Sequence, residues 1–280
     1  MKEINTESIT SAVARLCIET NCCISPDMEN ALRLALEKEE SALGKNVLET
    51  LLSNAAIARD EMIPICQDTG LCVVFVELGM DLHITGGDLE EAIQKGIIRG
   101  YTEGFLRSSI VADPIDRSNT GDNSPGVVHY KVVSGDKLKI TVAPKGFGSE
   151  NMGGLKMLTP SAGIEGIKQF VIDTVSSAGS NPCPPIVVGV GVGGSMEKAA
   201  LIAKEALLRP MGSPAKTPYW KGIEEELLGK INDLGIGPGG FGGRITALAV
   251  HIETYPTHIA GLPVAVNLAC HVHRHGEVIL

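Results

Sequence analysis

Aromatic residues are scarce in this chain of 280 residues: they make up 4% of it, with a single tryptophan. A core built without them is aliphatic, and the 44% hydrophobic content suffices to fill a sizeable one. Long apolar runs are missing too. None reaches the roughly 18 residues that a membrane span needs, and the opening MKEINTESIT is too polar for a secretory leader, so a soluble, cytoplasmic protein is expected. Positive charge is short: 24 Lys and Arg stand against 33 Asp and Glu, a net charge of -9. That excludes the broad cationic surface by which nucleic acid or an anionic membrane would be bound. A small anionic substrate held by a few local cations stays open. A disulfide framework is absent as well, because seven cysteines at irregular spacings cannot all pair. Free thiols in a reducing compartment are available for metal.

What the chain has in quantity is glycine, 33 residues. It is concentrated in KGFGSENMGG (Lys145 to Gly154) and GIGPGGFGG (Gly235 to Gly243), loops suited to close backbone approach to a ligand. Up to about residue 60 the apolar spacing is helical, with Thr6 or Ser8 as a first cap and Ser25-Pro26-Asp27 as a second start. Beyond it the period changes. A strand over Leu71 to Leu78 and a helix begun by Asp88 come first, then a hairpin of Val127 to Val133 with Lys137 to Val142. Helices from Thr159, Ser195 and about Gly222 follow, and strands end the chain. The fold class expected is α+β: a helical N-terminal layer over residues 1–60, followed by a mixed α/β part over 61–280 with Gly-rich loops, the whole forming a single domain.

Two patterns carry chemistry. The first, IVVGVGVGG, has the spacing G-x-G-x-x-G at Gly189, Gly191 and Gly194. A dinucleotide site also needs a second strand ending in an acid about 20 residues on. Here that stretch reads LLRPMGSPAKTP, with neither strand pattern nor acid. The second pattern is a set of three cysteines at turns, Cys66 in PICQDTG, Cys183 in NPCPPI and Cys270 in NLACHVHRH, whereas Cys17, Cys22, Cys23 and Cys72 sit in apolar contexts suited to the core. Far apart in sequence, the three lack the short pairs of a zinc knuckle. Three thiolates suit an iron–sulfur cube with one iron left open, while core packing remains the plain alternative for each. His271, His273 and His275 alternate as in a strand, which would set all three on one face.

CQDTG at Cys66, RSNTGDNSP at Arg117, KGFGSEN at Lys145, NPCPPI at Asn181, GIGPGGFGG at Gly235 and HIAGLPVAVNLAC at His258 together resemble the iron–sulfur hydro-lyases of the class I fumarase and L-tartrate dehydratase family. The likeness runs colinearly from about residue 10 to 280. It implies a [4Fe–4S] cluster on Cys66, Cys183 and Cys270. It also implies substrate contacts from Gln67, Asp68, Arg107, Gly148 and His258, with Asp68 and His258 closest to the chemistry. Relatives that are single chains carry the catalytic base in a further domain, so this chain resembles an α subunit completed by a separate β subunit, as α2β2. The reaction implied is reversible hydration of fumarate to (S)-malate, with L-tartrate dehydration as the alternative. A non-catalytic iron–sulfur protein and a NAD-binding module are the rivals from other classes. Asp68 as a turn cap, Arg107 as a surface cation and His258 as a loop histidine are the plain readings of those residues.

Overall fold

The structure, a computed structural model, describes residues 2–280. In chain order the elements are β1 (Lys2–Asn5), α1 (Thr6–Cys22), α2 (Pro26–Lys38), α3 (Ala42–Glu61), β2 (Leu71–Gly79), β3 (Leu82–Thr85) and α4 (Leu89–Glu103). Then follow β4 (Val127–Val133), β5 (Leu138–Lys145), α5 (Phe147–Glu150), β6 (Gly154–Leu158), α6 (Gly163–Ala178) and β7 (Ile186–Gly193). The chain finishes with α7 (Met196–Ala206), α8 (Pro218–Asn232), β8 (Ala247–Tyr255), β9 (Leu262–Ala269) and β10 (Gly276–Ile279). The class is α+β. The chain forms two compact units from interleaved segments. Unit one takes the chain through Ile24, Asn54–Phe147 and Arg274–Leu280; unit two takes Ser25–Ser53 and Gly148–His273. The three N-terminal helices are present as the spacing predicts, but α1 belongs to unit one and α2 to unit two, and the residues of α3 are divided between them.

Unit one is a four-stranded sheet in the order β10-β5-β2-β4, with a two-stranded parallel ribbon of β1 and β3 beside it. Ile9, Val13 and Leu16 of α1 and Ile93, Ile97 and Tyr101 of α4 share a core with Val74, Val76, Ile140 and Val142 of the sheet. The cap of α1 falls on Asn5, whose side chain accepts the Glu7 N–H, and not on Thr6 or Ser8. Asp88 caps α4 by accepting the Glu91 N–H at 2.9 Å, as the sequence predicts. The hairpin expected between β4 and β5 does not form. β2 lies between them, parallel to β4 and antiparallel to β5. Its apolar residues Val73, Val74 and Val76 gain a partner on both edges, and the connector wraps the end of β2, where Asp81 N–H donates to Gly135 and Met80 N–H to Val133.

Unit two is a sheet in the order β6-β9-β7-β8, with β7 buried along all eight residues. Val171 and Val175 of α6 and Leu227 and Ile231 of α8 pack on Val188, Val190 and Val250, while Ala199 and Ala203 of α7 pack on Ala265. β7 and β8 run parallel and β9 antiparallel to β7. The starts of β7 and β8 and the end of β9 therefore share one edge of the sheet. The end of β8 and the start of β9 share the other.

Candidate active site

In unit one the CQDTG segment leaves α3 and makes a turn before β2. The Asp68 N–H donates to Cys66 Sγ at 3.4 Å, and the thiol lies 3.3 Å from Gln67 Oε1. Asp68 is engaged at every polar group. Its Oδ1 accepts the Gly70 N–H at 3.0 Å and its Oδ2 the Phe147 N–H at 2.9 Å, while its carbonyl accepts from Arg274 Nη2 at 2.7 Å. The side chain thus does cap the turn, and it also fixes the start of the KGFGS loop. Gly70 adopts φ +81, and a Cβ there would strike the backbone of Lys145, so the turn admits only glycine.

A second layer of unit one supports that turn. The fully buried Asn123 accepts the Ser109 N–H at 2.7 Å and donates to the Gly70 carbonyl at 3.1 Å, and Tyr101 Oη donates to the carbonyls of Thr69 and Gly70. Thr69 Oγ1 accepts the Arg107 N–H at 3.0 Å. The backbone of Arg107 is therefore anchored to the Cys66 turn, whereas its exposed guanidinium makes no ion pair or hydrogen bond among the described residues. Asn123 belongs to the RSNTGDNSP motif, so the sequence offered it as a turn former. Tyr101 and Arg274 carried no such signal.

In unit two Cys183 and Cys270 both stand at the edge where β7 starts and β9 ends. Cys183 is exposed, in the left-handed region at φ 56, with a cis bond between Pro184 and Pro185. Its carbonyl accepts from His271 twice, from the backbone N–H at 3.3 Å and from Nδ1 at 3.0 Å. Ser180 of the same turn packs on Gly240, and the Pro184 carbonyl accepts the Gly239 N–H at 2.8 Å, so the GIGPGGFGG loop backs the cysteine turn. Gly148 sits in α5, where an added Cβ would lie 3.6 Å from the Asn181 carbonyl. Glu150 in the same loop is held by Lys204 at 2.6 Å and by Asn267 at 3.0 Å.

His258 lies elsewhere. It occupies the exposed turn between β8 and β9, at the opposite edge from Cys183 and Cys270, about 26 Å away along eight residues of strand. Its Nδ1 accepts the Ala260 N–H at 3.1 Å, which leaves Nε2 as the donor. Within unit two the plain reading, a loop histidine, describes its setting. The alternation of His271, His273 and His275 is also corrected, because the segment is a turn and not a strand: His271 grips Cys183, and the buried His273 lies 2.6 Å from the Leu207 carbonyl. Arg244, at the end of the GIGPGGFGG loop, is paired with Glu40 at 3.0 Å. The G-x-G-x-x-G turn is corrected as well. Gly189 and Gly191 lie inside β7, where any Cβ would run into the Ala203 and Ala199 carbonyls of α7, so these glycines serve close strand-to-helix packing. Ser195 Oγ, at the start of α7, bonds Glu197, which sets a carboxylate where a phosphate would have to sit.

Cys17, Cys22 and Cys72 are buried as their apolar contexts predict, whereas Cys23, expected in the core with them, is half-buried at the end of α1; Cys183 is exposed, and Cys66 and Cys270 are half-buried at turns. Among the described residues no three His, Cys, Asp or Glu side chains gather around a point as the ligands of a single ion do. An iron–sulfur cube instead takes each thiolate on a separate corner. A donor set of three accessible thiols, one of them already receiving an N–H, fits that group in chemistry. No described helix is long and apolar enough to cross a membrane.

Comparison with known proteins bears on the same residues. A family model described as fumarate hydratase (Fumerase) matches residues 10–279. A Methanocaldococcus jannaschii chain provisionally named L(+)-tartrate dehydratase subunit alpha is 42% identical over 272 residues, 95% of this chain and 95% of that one. L(+)-tartrate dehydratase subunit alpha of Escherichia coli is 33% identical over 283 residues, covering 100% of this chain and 93% of its own. The protein of that name from Shigella boydii is 32% identical over the same length.

Proposed function

The chain belongs to the fumarate hydratase (Fumerase) family and is a hydro-lyase, and on that premise we propose that it is the α subunit of an L(+)-tartrate dehydratase. The observation that carries this is the match to relatives named for tartrate over 95% and 100% of the chain. Sequence reasoning favours fumarate on the general weight of central metabolism, but the hydroxy acids of the two reactions, (S)-malate and L-tartrate, differ by one hydroxyl and no residue here decides between them. The relatives reverse that order. Fumarate hydration is the second reading.

Cys66, Cys183 and Cys270 would hold the [4Fe–4S] cluster, which supplies a Lewis-acidic iron for a departing hydroxyl. The rest falls to the chain itself. Arg107, with its backbone tied to Thr69 and its guanidinium without a partner among the described residues, pairs with a substrate carboxylate. Asp68, whose two oxygens already take N–H donors, orients the turn that presents Gln67 to the ligand, and the Gly148 backbone would be a further contact. His258, at the far edge of its sheet, meets such a ligand from a second copy of the chain, which an α2β2 assembly provides. The catalytic base comes from a separate β subunit, and both units of residues 1–280 form the one α-type catalytic domain, in the cytoplasm.

The test is an anaerobic hydro-lyase assay of the chain co-purified with its partner, on L(+)-tartrate and on (S)-malate. A higher kcat/KM for tartrate is expected. A higher value for malate would return the assignment to fumarase.

A further inference from the structure

The segment His271-Val272-His273-Arg274, directly after Cys270, is left unexplained by the roles above. Two of its side chains each hold the turn of another cysteine. His271 donates twice to the Cys183 carbonyl; since a carbonyl only accepts, Nδ1 carries the proton. Arg274, 4% exposed, donates from Nη2 to the carbonyl of Asp68, the residue whose N–H points at Cys66 Sγ. The first contact lies within unit two and the second within unit one, and the chain passes from one unit to the other between His273 and Arg274.

We propose that His271 and Arg274 are positioning residues: one short segment carries the third cysteine and fixes the backbones on which the other two are presented. The proposal rests on the three-cysteine ligand reading for its purpose, though not for its geometry. A carbonyl bonded to a donor fixes the ψ of its own residue. The grip on Cys183 stabilises a φ that a non-glycine residue rarely adopts. The grip on Asp68 holds a turn whose N–H must stay on the sulfur. A guanidinium buried to this degree is costly to desolvate, and the Asp68 carbonyl is one of the acceptors that offset that cost. Groups that orient metal ligands change metal affinity by about 10–100-fold when removed.

The experiment compares the wild-type chain with His271→Leu, Arg274→Met and the conservative pair His271→Asn and Arg274→Lys. The first readout needs no metal: alkylation of the apo chain by iodoacetamide, mapped cysteine by cysteine by mass spectrometry. His271→Leu is expected to change the rate at Cys183 several-fold and leave Cys66 alone, and Arg274→Met to do the reverse. Cys17 and Cys72, both 0% exposed, report global folding and stay protected. The second readout is iron loss to a chelator after anaerobic reconstitution, expected to be about tenfold or more faster in the Leu and Met variants and intermediate in the conservative ones. Unchanged rates at the local cysteine overturn the proposal. So does parallel exposure of Cys17 and Cys72, which would make the role one of folding. A wild-type chain that binds no iron at all would instead sink the cluster reading and leave the alkylation pattern to stand.

Discussion

Glu39 is a buried carboxylate whose two oxygens accept backbone N–H groups of Glu40, Ser41, Arg244 and Ile245 at 2.8–3.0 Å. It joins the end of α2 to the Gly-rich loop behind Cys183, and a Cβ at Gly44 or Gly243 would strike it. Burial pushes its carboxyl up, but the donors of Arg244, Ser41, Ile245 and Glu40 outweigh that and hold it below the usual carboxylate value. A depressed folded value means a stabilisation that is full above the unfolded pKa, about 4.3, and is lost as pH falls through the folded one. Glu39→Gln should therefore cost about 2–3 kcal/mol at neutral pH by urea titration, and much less once the wild-type carboxyl is protonated. His251 gives a second acid-sensitive group. At 2% exposure and with Nδ1 3.2 Å from the Ala206 carbonyl, it is held down to about 4, first by burial and then by Arg209. Its contribution is full above the unfolded value of about 6.5 and declines as pH falls towards 4, at up to about 1.4 kcal/mol per pH unit. His251→Leu should flatten that slope, whatever it does to stability at neutral pH. Neither residue stood out in the sequence, where Glu39 is one acid in the run EKEES and His251 one residue of an apolar strand, because what distinguishes them is which distant N–H or carbonyl they meet. Cys66, Cys183 and Cys270 lie outside helices and strands, as their turn contexts in the sequence predict.

At the level of elements, the helices read well where a cap and an apolar period agreed, as at Asp88 with α4 and Ser25-Pro26 with α2. Strand partners read poorly, since β4 and β5 look like a hairpin locally and only the burial demand of β2 separates them. The short strands β1, β3, β6 and β10 went unseen because few residues carry their period. The glycines of β7 show how a motif misleads when its surroundings are ignored. Gly189 and Gly191 are needed because α7 runs against the strand with no room for a side chain. Gly191→Ala should then cost about 3 kcal/mol or more as an overpacked core substitution, with a matching fall in Tm. Gly222→Ala on α8, where nothing stands within 4 Å of an added Cβ, should stabilise slightly through helix propensity. Equal effects at both positions in thermal unfolding would contradict the packing account.

For the whole molecule, the two interleaved units divide the proposed ligand set, with Cys66 in unit one and Cys183 and Cys270 in unit two, on three separate passages of the chain. No local pattern announces such a set, and only the colinear run of motifs suggests it. The roles proposed for this chain include a carboxylate-binding arginine and the cluster thiols but no proton acceptor. The purified chain alone should thus show little dehydratase activity, with a gain of orders of magnitude on adding the β subunit in a coupled assay. Comparable turnover by the lone chain would remove the need for a partner. The claim on which all of this turns is the ligand set, and the most direct test is the iron content per chain after anaerobic reconstitution of single Cys→Ala variants. About four irons are expected for the wild type and for Cys22→Ala and Cys23→Ala, with marked loss for Cys66→Ala, Cys183→Ala and Cys270→Ala. Full iron retention in any of those three, or its loss on removing Cys22 or Cys23, would contradict the account.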